Sequence, residues 1–508
     1  MEPQLFLENS PALKLKKDFF SYTFEKNNSV ETRHEKGQYF THKELVKMIL
    51  DQVPITSESK ILDPTCGAGA FLMEALKKGD ITNIYGVDID KKALESCKMN
   101  LGSKSTNLIE ENFIKEKIFE KEFFDVIIGN PPFQNLRADG LDYDPYYPIY
   151  QKVTSGIANS STLVLAKSYE LLKEGGYLGF VLPKNFIRVD SFRNIRKFLL
   201  ENTRIISIID VDHHFKDVRC DQILMILQKK RLTQEELKKN LVSITPYKKL
   251  IELNKQEAYG IIQSEFFNYA FYPLFYDLEV KKIADKLIKI GKTLKDCSQI
   301  FRGISIGSLH LSLSKSNGPN LIKCYRGDSI KRFGLKYYLY LDESKLIPTE
   351  IKKLSRLLKE KIVIQNIFSK EGGVFLNFSS SDEVSLDTVT NIIPNKDINP
   401  FLLMGILGSK LSNFFLINVV YLNSNFTMHT DKLYIGTIPV ILPDKQKEDL
   451  IQGHVEKLIG IKDKYSPEFN ETYAKLNKII YQIYQITGAE IKTIEEFLKG
   501  AMSKKHHG

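Results

Sequence analysis

Cysteine is scarce in this 508-residue chain: there are five, at positions 66, 97, 220, 297 and 324, and no C-x-x-C pair. That scatter excludes a disulfide framework and a cysteine-based zinc ribbon, and it suits a reducing compartment. The opening MEPQLFLENS has neither the basic start nor the apolar core of a signal peptide. Long apolar runs are missing as well. The most membrane-like stretch, Phe401 to Leu422, is interrupted by Ser409, Lys410, Ser412, Asn413 and Asn418, so no spanning helix is expected. These absences together predict a soluble, cytoplasmic protein. Arginine is also rare, at 12 of the 72 basic residues, and there is no internal repeat.

What is present is the balance of a globular protein, 43% hydrophobic and 26% charged. The length suits two large domains and buries a full core without covalent staples. The net charge of +10 fits a polyanionic partner without requiring one.

From about Lys60 to Lys230, short apolar runs alternate with helical patterns, as in parallel α/β folds. Strands are expected at Lys60–Asp63, Ile84–Ile89, near Asn107–Asn112, and at Phe124–Gly129, Tyr177–Leu182, Ile205–Val211 and Gln222–Gln228. The last two are too close for a helical crossover and should pair antiparallel. Helices are expected at Ala70–Lys77, Lys91–Asn100, Thr162–Leu172 and Ser191–Glu201, the third ended by Gly175–Gly176. This predicts a domain over residues 1–235 and a lysine-rich linker over 236–274. A mixed domain over 275–465 and a helical end over 466–500 follow. The final KKHHG is left out of the fold.

Three motifs carry chemistry. In Ile61-Leu62-Asp63-Pro64-Thr65-Cys66-Gly67-Ala68-Gly69, a strand ends in an acid and a Gly-x-Gly turn opens a helix, which lets backbone approach a ligand closely. Twenty-five residues after Asp63, Asp88 ends the next strand, where a carboxylate hydrogen-bonds ribose hydroxyls. Leu72 replaces the third glycine of G-x-G-x-x-G, which favours an adenosine ligand other than a dinucleotide, S-adenosylmethionine first. The third motif, Asn130-Pro131-Pro132-Phe133, follows a buried strand. Two prolines stiffen the turn. The asparagine amide oxygen and a neighbouring carbonyl can converge as two acceptors on a planar –NH2 group, with Phe133 stacking on the ring that bears it.

Here the chain resembles the gamma-class N6-adenine DNA methyltransferases of restriction–modification systems, within the S-adenosylmethionine-dependent amino-methyltransferases. The resemblance implies a Rossmann-like class I methyltransferase domain with a mostly parallel seven-stranded sheet and an antiparallel last strand. A mixed α+β target-recognition domain and carboxyl-terminal helices would follow. Gly37-Gln38-Tyr39-Phe40-Thr41 is similar to the family's first cofactor segment, with Thr41 at the methionine end of S-adenosyl-L-methionine. Asp63, Gly67 and Gly69 would form the cofactor loop, and Asp88 with Ile89 would contact ribose and adenine. Asn112-Phe113 stands where the family has Asp-Phe. Asn130, Pro131, Pro132 and Phe133 would be catalytic, and Phe215 would cover the other face of the flipped base. Leu172–Pro183 resembles the fifth-strand region. Leu294–Ile304, Tyr325–Ile330 and Leu403–Leu411 resemble specificity-domain segments.

The implied partner is double-stranded DNA, with a separate cognate restriction endonuclease as a further one, and a monomer is expected. The 36 residues before Gly37 are too few for the nuclease domain that some relatives carry. Base reading falls first to arginines, of which Arg302, Arg326, Arg332 and Arg356 lie beyond the linker. No metal site is expected, since His213 and His214 lack a carboxylate or cysteine partner at ligand spacing. No Pro-Cys dipeptide occurs, so cytosine C5 methylation has no candidate nucleophile. N4-cytosine, RNA-base and protein-glutamine methylation remain as alternatives.

Overall fold

The computed structural model describes residues 41–503 except 103–106, 138–141, 155, 213–220, 247–257, 270, 276–277, 306–312, 369, 371 and 423–427. It divides into two compact units, 1–274 and 275–508.

The strands of the first unit run in chain order as β1 (Ile61–Asp63), β2 (Ile84–Asp88), β3 (Leu108–Glu110), β4 (Phe124–Gly129), β5 (Asn135–Leu136) and β6 (Ala158–Asn159). They continue as β7 (Leu172–Pro183), β8 (Arg204–Asp212), β9 (Gln222–Gln228), β10 (Leu241–Thr245) and β11 (Tyr259–Ile262). Nine of them form one sheet in the order β11-β10-β8-β9-β7-β4-β1-β2-β3. From β3 to β7 every pairing is parallel, and β9 runs antiparallel between β7 and β8. Seven of the nine, β1–β4 and β7–β9 with β9 as the antiparallel member, match the expected sheet, which β10 and β11 extend beyond the expectation.

The linker expected over 236–274 is a correction. Its residues add β10, parallel to β8, and β11, antiparallel to β10. Gln263 ties them to the sheet: its Oε1 accepts from the Ile205 and Asn240 amides, and its Nε2 donates to the Thr203 carbonyl at 2.8 Å. The surrounding lysines hid two short strands whose apolar residues, Val242, Ile244 and Ile261, are fully buried.

The helix Lys43–Leu50 covers one sheet face with Leu45, Val46 and Ile49, against Ile61, Val126, Ile128, Val181, Leu224 and Ile226. Each such side chain contributes about 1.5–3 kcal/mol relative to exposure. Gly179 admits the helix, since a Cβ there would lie 2.4 Å from Ile49. Gly175 takes the expected positive φ, +80°, but does not stop a helix. The helix Ser160–Leu171 ends earlier, and Gly175 lies within β7 where its register with β4 shifts.

In the second unit, Ser298–Arg302, Val389–Pro394, Lys361–Gln365 and Leu376–Ser379 form an antiparallel sheet in that order. A second sheet holds Leu313–Ser314, Leu339–Asp342, Leu321–Tyr325 and Glu383–Ser385. The helices Pro467–Ile483 and Gly488–Ser503 occupy the expected helical end, and Lys445–Gly460 precedes it. The apolar stretch after residue 400 is a bent pair, Pro400–Leu407 and Lys410–Val420, largely buried; no single described helix is long and apolar enough to cross a membrane.

Candidate active site

The carboxyl ends of β2, β1 and β4 deliver Asp88, Asp63 and Asn130 to one edge of the sheet. Asp63 is 1% exposed and accepts the Thr65 amide at 3.1 Å. Burial pushes its pKa up to about 8, with the nearby Asp88 carboxyl adding to the rise against the Thr65 hydrogen bond. Glycine at the end of β4 makes room for this carboxyl, since a Cβ on Gly129 would lie 2.7 Å from Asp63 Oδ1.

Gly67 and Gly69 adopt φ of +50° and +87°, conformations that glycine takes without strain. A Cβ on Gly69 would come within 2.6 Å of Cys97 Sγ, whereas one on Gly67 would meet nothing within 4 Å. One glycine therefore serves packing and the other leaves the loop open to a ligand. The Gly67 N–H donates to Asp88 Oδ2 at 2.8 Å, and the Asp90 N–H to Oδ1 at 2.9 Å. Burial raises the Asp88 pKa against these bonds. The carboxylate keeps acceptor capacity for a hydroxyl donor. Beside it, Ile89 is 69% exposed, a large apolar side chain at the rim. An open glycine, a held carboxylate and a bare apolar side chain fit an adenosine-bearing cofactor.

Asn112 Oδ1 accepts the Ile114 amide at 3.2 Å, so part of its acceptor capacity already closes a turn. Phe113 is buried, and the Lys167 ammonium holds its carbonyl at 2.6 Å. Burial lowers the Lys167 pKa to about 8.

Asn130 donates Nδ2 to Thr41 Oγ1 at 3.0 Å, while its Oδ1 is buried without a partner. Thr41, expected at the methionine end of the cofactor, thus also orients the asparagine. The rest of the loop is gripped by Ser160. Its Oγ donates to the Pro132 carbonyl at 2.6 Å and accepts the Gln134 amide at 3.0 Å, and its own N–H reaches the Gln134 carbonyl at 2.9 Å. The β5–β6 ladder backs this grip. No described group donates to the Pro131 carbonyl. Phe133 is half-buried. Ser160 escaped the sequence reading. Its one signal, the helix-start run Asn159-Ser160-Ser161, says nothing about a loop 28 residues earlier.

Gly37 to Phe40, His213, His214 and Phe215 lie outside the described residues. The four arginines, in the second unit, differ. Arg302 is held by Asp431 through two bonds of 2.6 and 2.9 Å and also donates to the Asp387 carbonyl. Arg332 lies over the Tyr473 ring at 4.4 Å and Arg356 over the Phe301 ring at 3.6 Å. Arg326 has a single long ion-pair contact, 4.0 Å to Asp328, and its Nε, like that of Arg356, is buried without a partner.

Residues 15–259 match the family described as N-6 DNA Methylase, and residues 322–440 match the TaqI-like C-terminal specificity domain. The type II methyltransferase M.VspI of Vibrio sp. (strain 343) is 29% identical over 326 residues, 61% of this chain and 74% of that protein. The modification methylase CviBIII of Paramecium bursaria Chlorella virus NC1A is 27% identical over 38% of this chain and 49% of its own length. Among solved structures, the Type IIL restriction-modification enzyme MmeI in complex with DNA superimposes with a TM-score of 0.58 at 12% identity, over 96% of this chain and 77% of that one. That likeness establishes the fold.

Proposed function

We propose that this protein, whose residues 15–259 match the N-6 DNA Methylase family and whose residues 322–440 match the TaqI-like C-terminal specificity domain, is a site-specific DNA methyltransferase that modifies N6 of adenine. The observation that carries this reading is the Asn130 carboxamide, oriented by Thr41 and presenting a buried, unpartnered oxygen beside an unengaged Pro131 carbonyl.

S-adenosylmethionine supplies an activated methyl group on a sulfonium. Asp88 and Ile89 would hold its adenosine, with Asp63 and the Gly67 loop beneath. Adenine N6 is a weak nucleophile because its lone pair is delocalised into the ring. Hydrogen bonds donated by its two N–H groups to Asn130 Oδ1 and the Pro131 carbonyl favour a more tetrahedral nitrogen and return density to the lone pair. The clamp of Ser160 on Pro132 and Gln134 keeps these acceptors fixed, so positioning and electrostatics carry the rate. The base must leave the duplex, at a cost of a few kcal/mol, and stacking on Phe133 offsets part of it, about 1–3 kcal/mol. Sequence is read by the second unit, the partner is double-stranded DNA, and a separate endonuclease accompanies the enzyme where it serves restriction.

Sequencing of modified bases in DNA from cells expressing the protein should reveal N6-methyladenine at one motif. Asn130→Ala should abolish single-turnover transfer while DNA and cofactor affinity persist, because its bond matters most as N6 rehybridises. Wild-type turnover in that variant, or N4-methylcytosine at the motif, would overturn the reading.

A further inference from the structure

Gln222 opens β9, opposite Pro183 of β7 and Asp212 of β8. Since β9 runs against its neighbours, its first residue lies at the carboxyl edge of the sheet, the edge that carries Asp63 and Asn130. The side chain is wholly buried, yet neither Nε2 nor Oε1 has a hydrogen-bond partner. Among the described residues it is the one buried carboxamide with both halves unmet. Gln263, in the same unit and equally buried, shows the opposite case. Its Oε1 takes two donors and its Nε2 serves two carbonyls, at Thr203 and Leu200. A buried amide left unpaired destabilises a fold and calls for a reason.

The strand pattern places that amide. Side chains alternate along a strand, so Gln222 shares a face with Leu224 and Ile226. Those two pack with Val126 and Ile128 of β4 under the helix Lys43–Leu50. Asn130, one residue past β4, bonds to Thr41, which leads into that same helix. Two carboxamides with unmet hydrogen-bonding capacity thus project from one face of one edge, separated by β7 alone.

We propose that Gln222 is a specificity-determining residue of the transfer site, its Nε2 donating a hydrogen bond to N7 of the flipped adenine. This rests on the adenine-methylating reading above. N7 is the acceptor beside the amino group on adenine's Hoogsteen edge, so a donor there fixes the ring while Asn130 and Pro131 engage N6. Donation to N7 draws density from the ring and does not activate N6; Gln222 serves capture and orientation.

The test uses the full chain and duplexes carrying adenine, 7-deazaadenine or 1-deazaadenine at the methylated position. Gln222→Met, close in shape and apolar, should raise the melting temperature of the free protein and lower kcat/KM on adenine about tenfold. Wild type should lose a similar factor on 7-deazaadenine, where N7 is a C–H, and Gln222→Met should lose nothing more on it. On 1-deazaadenine the variant and wild type should still differ tenfold. Multiplying losses on 7-deazaadenine, a wild type indifferent to it, or a melting temperature that falls in Gln222→Met would each overturn the role. If wild type methylates no adenine in any duplex, the functional reading itself fails; if it does and Gln222→Met matches it, this role alone fails.

Discussion

The Asn130 side-chain amide donates to the Thr41 hydroxyl at 3.0 Å, joining residues 89 positions apart in the chain. The bond does two things at once. It assigns the Asn130 nitrogen to Thr41, so the oxygen is the atom left without a partner. It also couples the reacting loop to the start of the helix Lys43–Leu50, whose His42 cap accepts the Glu44 amide.

Thr41→Val keeps the volume and removes the acceptor. A neutral hydrogen bond contributes about 0.5–1.5 kcal/mol net, so single-turnover methylation should fall roughly threefold to tenfold, with Thr41→Ser close to wild type. Equal rates in all three proteins would separate Thr41 from the orientation of Asn130.

Asp63 makes stability depend on pH in a defined direction. Its folded pKa of about 8 exceeds the unfolded value, which is about 3.9. The folded chain therefore holds a proton that the unfolded chain releases. The resulting stabilisation is complete below about pH 4 and is lost as pH rises through 8, with a slope of at most about 1.4 kcal/mol per pH unit. Urea unfolding of the cofactor-free protein across this window should show the decline, and Asp63→Asn should flatten it. An identical slope in that variant would mean that the folded carboxyl is already ionised.

Asp88→Ala should weaken S-adenosylmethionine binding markedly in calorimetry. It removes the proposed ribose acceptor and frees the Gly67 amide, which Asp88 Oδ2 holds at 2.8 Å. Full-strength binding by the variant would take Asp88 out of the cofactor site.

The arginines should divide according to their partners. Arg326→Ala should cost roughly 1–3 kcal/mol on the recognised site and little on random DNA. Arg302→Ala breaks the two-bond pair with Asp431 and should lower the melting temperature without selective loss of binding, as should Arg356→Ala, which strips the cation from Phe301. A site-selective loss in Arg302→Ala with Arg326→Ala silent would reverse the assignment.

The strands and the three motifs were legible because they depend on local signals: buried apolar runs, glycines at a turn, and prolines that stiffen a loop. Two readings failed for one shared reason. Gly175 has the backbone of a helix stop, but its neighbours place it inside β7. The lysines around β10 and β11 read as linker, although the alternate apolar residues pack inward. Local composition carries no record of the strand that will lie alongside.

By itself, then, the sequence determined which groups could do the chemistry: Asp63, Asp88 and Asn130 stand at strand ends because short buried runs precede them. Only the tertiary structure decided how those groups are held. The grip of Ser160 on Pro132 and Gln134, the bond from Asn130 to Thr41, the two sides of the Gly67–Asp88 contact and the unmet carboxamide of Gln222 all join distant segments or depend on what surrounds them. A hydrogen bond acts over about 3 Å, and a spacing of tens of residues says nothing about which pairs the folded sheet will bring within that reach.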